Sequence, residues 1–256
     1  MGSDEDVQDR QKRISDWQQE GISKSKILVV GAGALGNEVL KSLLQLGVSD
    51  VSIMDYDIIV KANLNRCIFF TEEDAENKRL KAEILAERAR RQFPSSTVTP
   101  INGRVEDIKS DSLGGYDAIF SCLDNINARL HINAQAYGVA PLIDGGTTGF
   151  LGKVQTVKSP SSCLECSMSK KDYELLWQRY SCVGEVLDFL DPKMPAVSTT
   201  NSIVAALQVN EFLKLKMASL KNEPNLVGKY LFIDGRNGTF KTYEVQKRKE
   251  CNVHQV

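Results

Sequence analysis

Arg66, Lys81 and Asp124 are two cations and a carboxylate, and their types suit one reaction in particular. When a carboxylate attacks the α-phosphate of ATP and expels pyrophosphate, two anions must meet. That demands cations around the phosphates and a carboxylate to hold Mg²⁺. A hydride-transfer site needs no such set. Arg66 closes the run Asn63-Leu64-Asn65-Arg66, and Lys81 sits in the next helical stretch. Asp124 follows an apolar run, and open α/β sheets bind ligands at the carboxyl ends of their strands. Plainer readings stand beside these: Arg66 and Lys81 also fit solvated helix faces, and Asp124 fits the cap of a helix that begins near Asn125. Asp57, in Asp55-Tyr56-Asp57, suits a phosphate-site carboxylate and a turn residue equally well.

A glycine turn precedes this set. In Gly31-Ala32-Gly33-Ala34-Leu35-Gly36 the first glycine permits the turn. Gly33 lets backbone approach phosphate, and Gly36 lets helix pack against strand. Asp55 ends the following strand, the usual place for a carboxylate that binds a ribose hydroxyl. Glycines and Asp55 together predict a nucleotide site without separating NAD from ATP; the Arg66, Lys81 and Asp124 set separates them.

Six cysteines in 256 residues are too few for a secreted disulfide scaffold and fit a reducing compartment, the cytoplasm. Cys163-Leu164-Glu165-Cys166 and the downstream Cys251-Asn252-Val253-His254 form two chelating pairs, and tetrahedral zinc accepts three thiolates and one imidazole. The competing reading is a frayed, metal-free tail.

The elements that must position these groups alternate. Lys26 to Val30 reads as a strand, followed by a helix with Leu35, Val39 and Leu43 on one face. Val51 to Asp55, Thr97 to Ile101 and Tyr116 to Cys122 read as strands, and Leu80 to Gln92 and Asn125 to Tyr137 as helices. This rhythm predicts an α/β fold with a Rossmann-like, doubly wound and mainly parallel sheet. After Gly145-Gly146 the pattern changes. Lys153 to Val157 alternates, 159–195 is polar and irregular, Thr199 to Met217 is a long helix, and Tyr230 to Asp234 and Thr239 to Val245 flank a turn. These predict antiparallel strands that extend the same sheet, with 1–256 as a single domain and 1–25 as an N-terminal arm. A formal charge of -1 calls for neither nucleic acid nor an anionic membrane, and no apolar run approaches a bilayer span.

GAGALG, DYD, NLNR, the lysine before FP, and CLDN match, in order and spacing, the pattern of the MoeB/ThiF and ubiquitin-activating superfamily, which the chain resembles over nearly its whole length. Upstream, Asp9-Arg10-Gln11-Lys12-Arg13 resembles the family's opening. Downstream, Gly145 to Val157 and Thr199 to Leu215 resemble stretches of the eukaryotic activating enzymes. The resemblance implies ATP-dependent adenylation of the C-terminal glycine of a ubiquitin-like β-grasp protein ending in Gly-Gly. It implies Asp55 on the ribose, Asn63, Arg66 and Lys81 on the phosphates, Asp124 on Mg²⁺, and Arg10 reaching the ATP of a second subunit in a homodimer. Cys67 departs from the family, which usually has Gln after NLNR. No separate catalytic-cysteine domain interrupts the sequence. Cys182, in the polar stretch Tyr180-Ser181-Cys182-Val183-Gly184-Glu185, resembles the cysteine of a MoeB-like loop and is expected to accept the activated carboxyl. A conjugating enzyme would then be the next partner.

Three other functions remain open at this point. A sulfur-carrier adenylyltransferase differs only in the fate of the adenylate. An NAD-dependent oxidoreductase would share the glycine turn, and a non-catalytic scaffold subunit would share the fold.

Overall fold

The computed structural model describes residues 6–168, 195–217 and 225–254. Its centre is an eight-stranded sheet built from β1 (Lys26–Val30), β2 (Asp50–Met54), β3 (Thr97–Ile101), β4 (Ala118–Ser121), β5 (Leu142–Thr148), β6 (Leu151–Val157), β7 (Lys229–Asp234) and β8 (Thr239–Glu244). The spatial order is β3-β2-β1-β4-β5-β6-β7-β8. The first five positions pair in parallel, and β5 to β8 run antiparallel. This is the expected doubly wound sheet with its antiparallel extension.

Alternation within the strands explains the layers. Ile27 and Val29 of β1 enter one core, whereas Leu28 and Val30 enter the other. A strand buried on both faces must be mostly apolar, as β1 is after Lys26, whereas β3 at the sheet edge keeps exposed threonines. The first core is closed by α3 (Ala34–Gln45), α5 (Lys81–Gln92) and α7 (Ser198–Lys216). Leu35, Val39 and Leu43 of α3 are all buried in it, as their spacing predicted. The second core is closed by α6 (Ile126–Ala136), through Ala128, Ile132 and Ala136. Short helices α1 (Asp9–Lys12), α2 (Gln19–Ser23) and α4 (Glu72–Glu76) complete the set named here. Among the described residues, no helix is long and apolar enough to cross a membrane.

Two elements differ from the sequence expectation. β5 is a seven-residue strand running through Gly145-Gly146, where the glycines suggested a break. Gly145 is needed in that strand because an added Cβ would meet the Gln208 amide at 2.4 Å. The cap of α6 is Asn125, whose Oδ1 accepts from Asn127 N at 2.8 Å, so Asp124 is not the capping residue.

Candidate nucleotide and metal sites

Strand order reverses between β1 and β4, which makes their carboxyl ends the switch point of the sheet. The two ends approach closely: a Cβ on Gly31 would lie 2.6 Å from the Cys122 carbonyl oxygen. Gly31 also has φ +101°, a conformation that favours glycine. A Cβ on Gly36 would meet the Gly31 oxygen at 1.9 Å, whereas one on Gly33 would meet nothing within 4 Å. The three glycines therefore do different things. Gly31 and Gly36 are required by the fold, and Gly33 leaves open space at the head of α3. No side chain caps the first turn of α3, so its backbone N–H groups remain available to an anion.

Asp55 holds this loop. Its Oδ2 accepts from Ala32 N at 2.7 Å and its Oδ1 from Asp57 N at 2.8 Å. Burial pushes its carboxyl above the ordinary value, partly offset by Lys81 and by those two N–H groups. Each oxygen keeps a second lone pair with which a ribose hydroxyl could bond. Lys81 opens α5 and donates to Asp57 Oδ2 at 2.7 Å. Burial opposes its charge, but Asp55, Asp57 and Asp124 outweigh burial and hold the ammonium above its usual range. One lysine thus sits in the field of three carboxylates. Asp57, open between two roles in the sequence, is the direct partner of Lys81.

Arg66 and Lys81 both act on the Cys67 thiol, which burial nonetheless pushes up to about 11. The Arg66 guanidinium donates to the Ala62 carbonyl and to Asn65 Oδ1, the latter at 2.9 Å. Asn63 is buried, and its Oδ1 accepts from Val60 N at 3.0 Å, tightening the turn that presents Arg66. Arg10 lies on α1 with 74% of its side chain exposed, its Nε 3.9 Å from Asp9 Oδ2. Cys182 lies outside the described residues.

Several residues that shape the site escaped sequence reasoning. Asn37, fully buried on α3, donates to Ala32 O at 2.9 Å and Gly33 O at 3.0 Å and accepts from Phe69 N at 3.2 Å. It stitches the glycine turn to the segment that follows Arg66. Arg129 and Asp144 form a bidentate pair, Nε to Oδ1 at 2.9 Å and Nη2 to Oδ2, with Ser121 Oγ also donating to Asp144 at 2.8 Å. Gln208 donates to Ser121 O at 3.1 Å and Ile143 O at 2.9 Å, anchoring α7 to β4 and β5. The one available signal was Asp144 itself, a carboxylate inside an apolar strand, which must find a partner when buried.

The second cluster is on the α6 face. Sulphurs of Cys163 and Cys166 lie 3.9 Å apart, those of Cys163 and Cys251 3.6 Å apart, and His254 Nε2 lies 3.7 Å from Cys166 Sγ. All four ligand atoms fall within 4.8 Å of one another. Zinc–sulphur bonds of about 2.3 Å place tetrahedral sulphurs about 3.8 Å apart, so these donors fit zinc in both type and spacing. Burial raises the Cys163 thiol to about 12 and also raises Cys251. Three sulphurs packed this closely would need a cation to lose their protons together. The His254 ring packs on Tyr137, centroids 4.6 Å apart, which brings the tail onto the end of α6.

A glycine turn at the switch point, with a lysine bonded to Asp57 close by the carboxylate that holds the turn, has the chemistry of a phosphate site on a doubly wound sheet. Residues 8–253 match the ThiF family, and the chain belongs to it. It is 27% identical over 314 aligned positions to a NEDD8-activating enzyme E1 catalytic subunit of Schizosaccharomyces pombe, covering 90% of this chain and 69% of that one. It is 37% identical over 152 positions to a SUMO-activating enzyme subunit 2 of Dictyostelium discoideum, covering 57% of this chain but 22% of the relative. Among solved structures, Escherichia coli MccB with AMPCPP and MccA superposes at a TM-score of 0.79, at 19% identity, over 99% of this chain and 75% of that one. That likeness establishes the fold. The chain spans only about two-thirds of the NEDD8-type relative and a fifth of the SUMO-type one.

Proposed function

We propose that the chain adenylates the C-terminal glycine of a ubiquitin-like protein ending in Gly-Gly. The carrying observation is the chain of contacts from Lys81 to Asp57 at 2.7 Å, from Asp57 N to Asp55, and from Asp55 to Ala32 N in the glycine turn. Such a lysine can neutralise the phosphates while the uncapped α3 terminus receives them. An oxygen of the glycine carboxylate attacks the α-phosphorus, the bond to the bridging oxygen breaks, and pyrophosphate leaves. Asp55 orients the ribose, and Asn63 and Arg66 serve the phosphates. Asp124 would hold Mg²⁺, which when bound offsets phosphate charge.

The acyl group then passes to Cys182: its thiolate attacks the acyl carbon and AMP departs, leaving a thioester for a conjugating enzyme. The names of the relatives, activating enzymes for NEDD8 and SUMO, support this branch over the sulfur-carrier one. Cys163, Cys166, Cys251 and His254 would hold structural Zn²⁺. The active form is a homodimer in the cytoplasm, with Arg10 acting across the interface.

The test is exchange of labelled pyrophosphate into ATP, run with each candidate β-grasp protein. Exchange that depends on one of them is the expected result. In that reaction Cys182→Ala should keep exchange and lose the reducible adduct. Failure of exchange with all of them, alongside tight ATP binding, would favour the scaffold reading instead.

A further inference from the structure

Asn133 lies on α6 and is fully buried. Its Oδ1 accepts from Leu164 N at 3.1 Å, and Leu164 is the residue between Cys163 and the rest of the chelating turn. Its Nδ2, at the other end of an amide whose oxygen already holds the residue next to Cys163, is buried without a hydrogen-bond partner. A buried amide donor without an acceptor is costly to leave unpaired. A thiolate bound to a metal is an acceptor of the kind it lacks.

We infer that Asn133 is a positioning residue of the metal centre: one end of its amide fixes the Cys163-Leu164 turn and the other donates to the metal-bound Cys163 sulphur. The inference rests on the zinc reading of this cluster. Gln155 supports the same cysteine from the sheet, its Nε2 donating to the Cys163 carbonyl at 3.3 Å. Cys163 is thereby held by a helix on one side and by β6 on the other. The role is specific to an amide, since neither a carboxylate nor an aliphatic chain offers donor and acceptor together. Residues that orient a metal ligand typically change affinity by about 10- to 100-fold when removed.

Two measurements test this. In wild-type protein loaded with cadmium-113, scalar coupling should appear between the metal and the Asn133 side-chain amide protons, carried through Cys163. In a cobalt(II) titration, Asn133→Asp should bind about 10- to 100-fold more weakly and shift the thiolate charge-transfer band. Wild-type protein that takes up neither metal overturns the zinc reading and this role with it. Metal bound normally, with no coupling to Asn133, overturns this role alone and leaves the zinc reading standing. The coupling experiment uses the unaltered protein, so it decides the matter even where Asn133→Asp fails to fold.

Discussion

Lys81 and Asp57 are joined twice: Lys81 Nζ donates to Asp57 Oδ2 at 2.7 Å, and the Lys81 backbone N–H donates to the Asp57 carbonyl at 2.9 Å. The backbone bond fixes where α5 starts, and the side-chain bond aims the ammonium. Lys81→Met keeps the backbone bond and removes the side-chain one, leaving Asp55 and Asp57 without their cation. Pyrophosphate exchange should fall at least about 100-fold, the scale of losing one preorganised charge from a phosphate site. Far-ultraviolet circular dichroism should be unchanged. Exchange within about threefold of wild type would remove Lys81 from the mechanism.

Asp124 and Asn125 are neighbours whose losses should differ in kind. Asn125→Ala removes the α6 cap and should cost about 1 kcal/mol of stability. Asp124→Ala touches no cap and should leave the melting temperature alone while abolishing exchange. A drop in melting temperature for Asp124→Ala equal to that of Asn125→Ala would show that the carboxylate is structural.

The glycine turn offers a similar pair. Gly36→Ala drives a methyl into the Gly31 carbonyl and should destabilise the fold by about 3 kcal/mol or more. Gly33→Ala meets nothing in the protein, so stability should hold while the KM for ATP rises about tenfold or more. Unaltered ATP kinetics in Gly33→Ala would argue against phosphate approaching this backbone.

Metal affinity should depend on pH. In the metal-free fold burial keeps the Cys163 thiol up at about 12 and Cys251 above its ordinary value, so both are protonated near neutrality. Binding expels those protons. Affinity therefore rises with pH, by up to about tenfold per unit for each proton released. Burial and Lys247 hold His254 below its usual value, so it adds little until the solution is more acidic still. Chelator competition at about pH 6.5 and about pH 7.5 should reveal at least about 100-fold tighter binding at the higher value. Equal affinities would mean that these thiols are not ligands.

Arg10 is exposed on α1, the state required of a group that serves another subunit. Inactive Arg10→Ala and inactive Asp124→Ala chains, mixed and shown to form hybrid dimers, should recover part of the exchange activity. Hybrids with none would confine Arg10 to its own chain.

The sequence made the local features legible. Leu35, Val39 and Leu43 declared the buried face of α3, and the glycines declared the turn, because both depend on spacing within a few residues. Cys163, Cys166, Cys251 and His254 were readable from ligand chemistry although the pairs are far apart. What stayed hidden depends on the assembled sheet. Asn37 reaches Phe69, and Arg129 reaches Asp144, through approaches that no short spacing encodes. β5 was obscured by its glycines, whose purpose appears only once Gln208 packs against Gly145 and Arg129 against Gly146.

The metal cluster joins partners separated by 88 residues, Cys163 with Cys251 and Cys166 with His254. Synthesis runs from the N-terminus, so β1 to β5 can pair while the far ligands are still unmade. A growing chain holds one chelating pair and must wait for the other. Zinc held by this cluster would load late, once residues 251–254 arrive, and would seal a sheet whose first five strands were already in place.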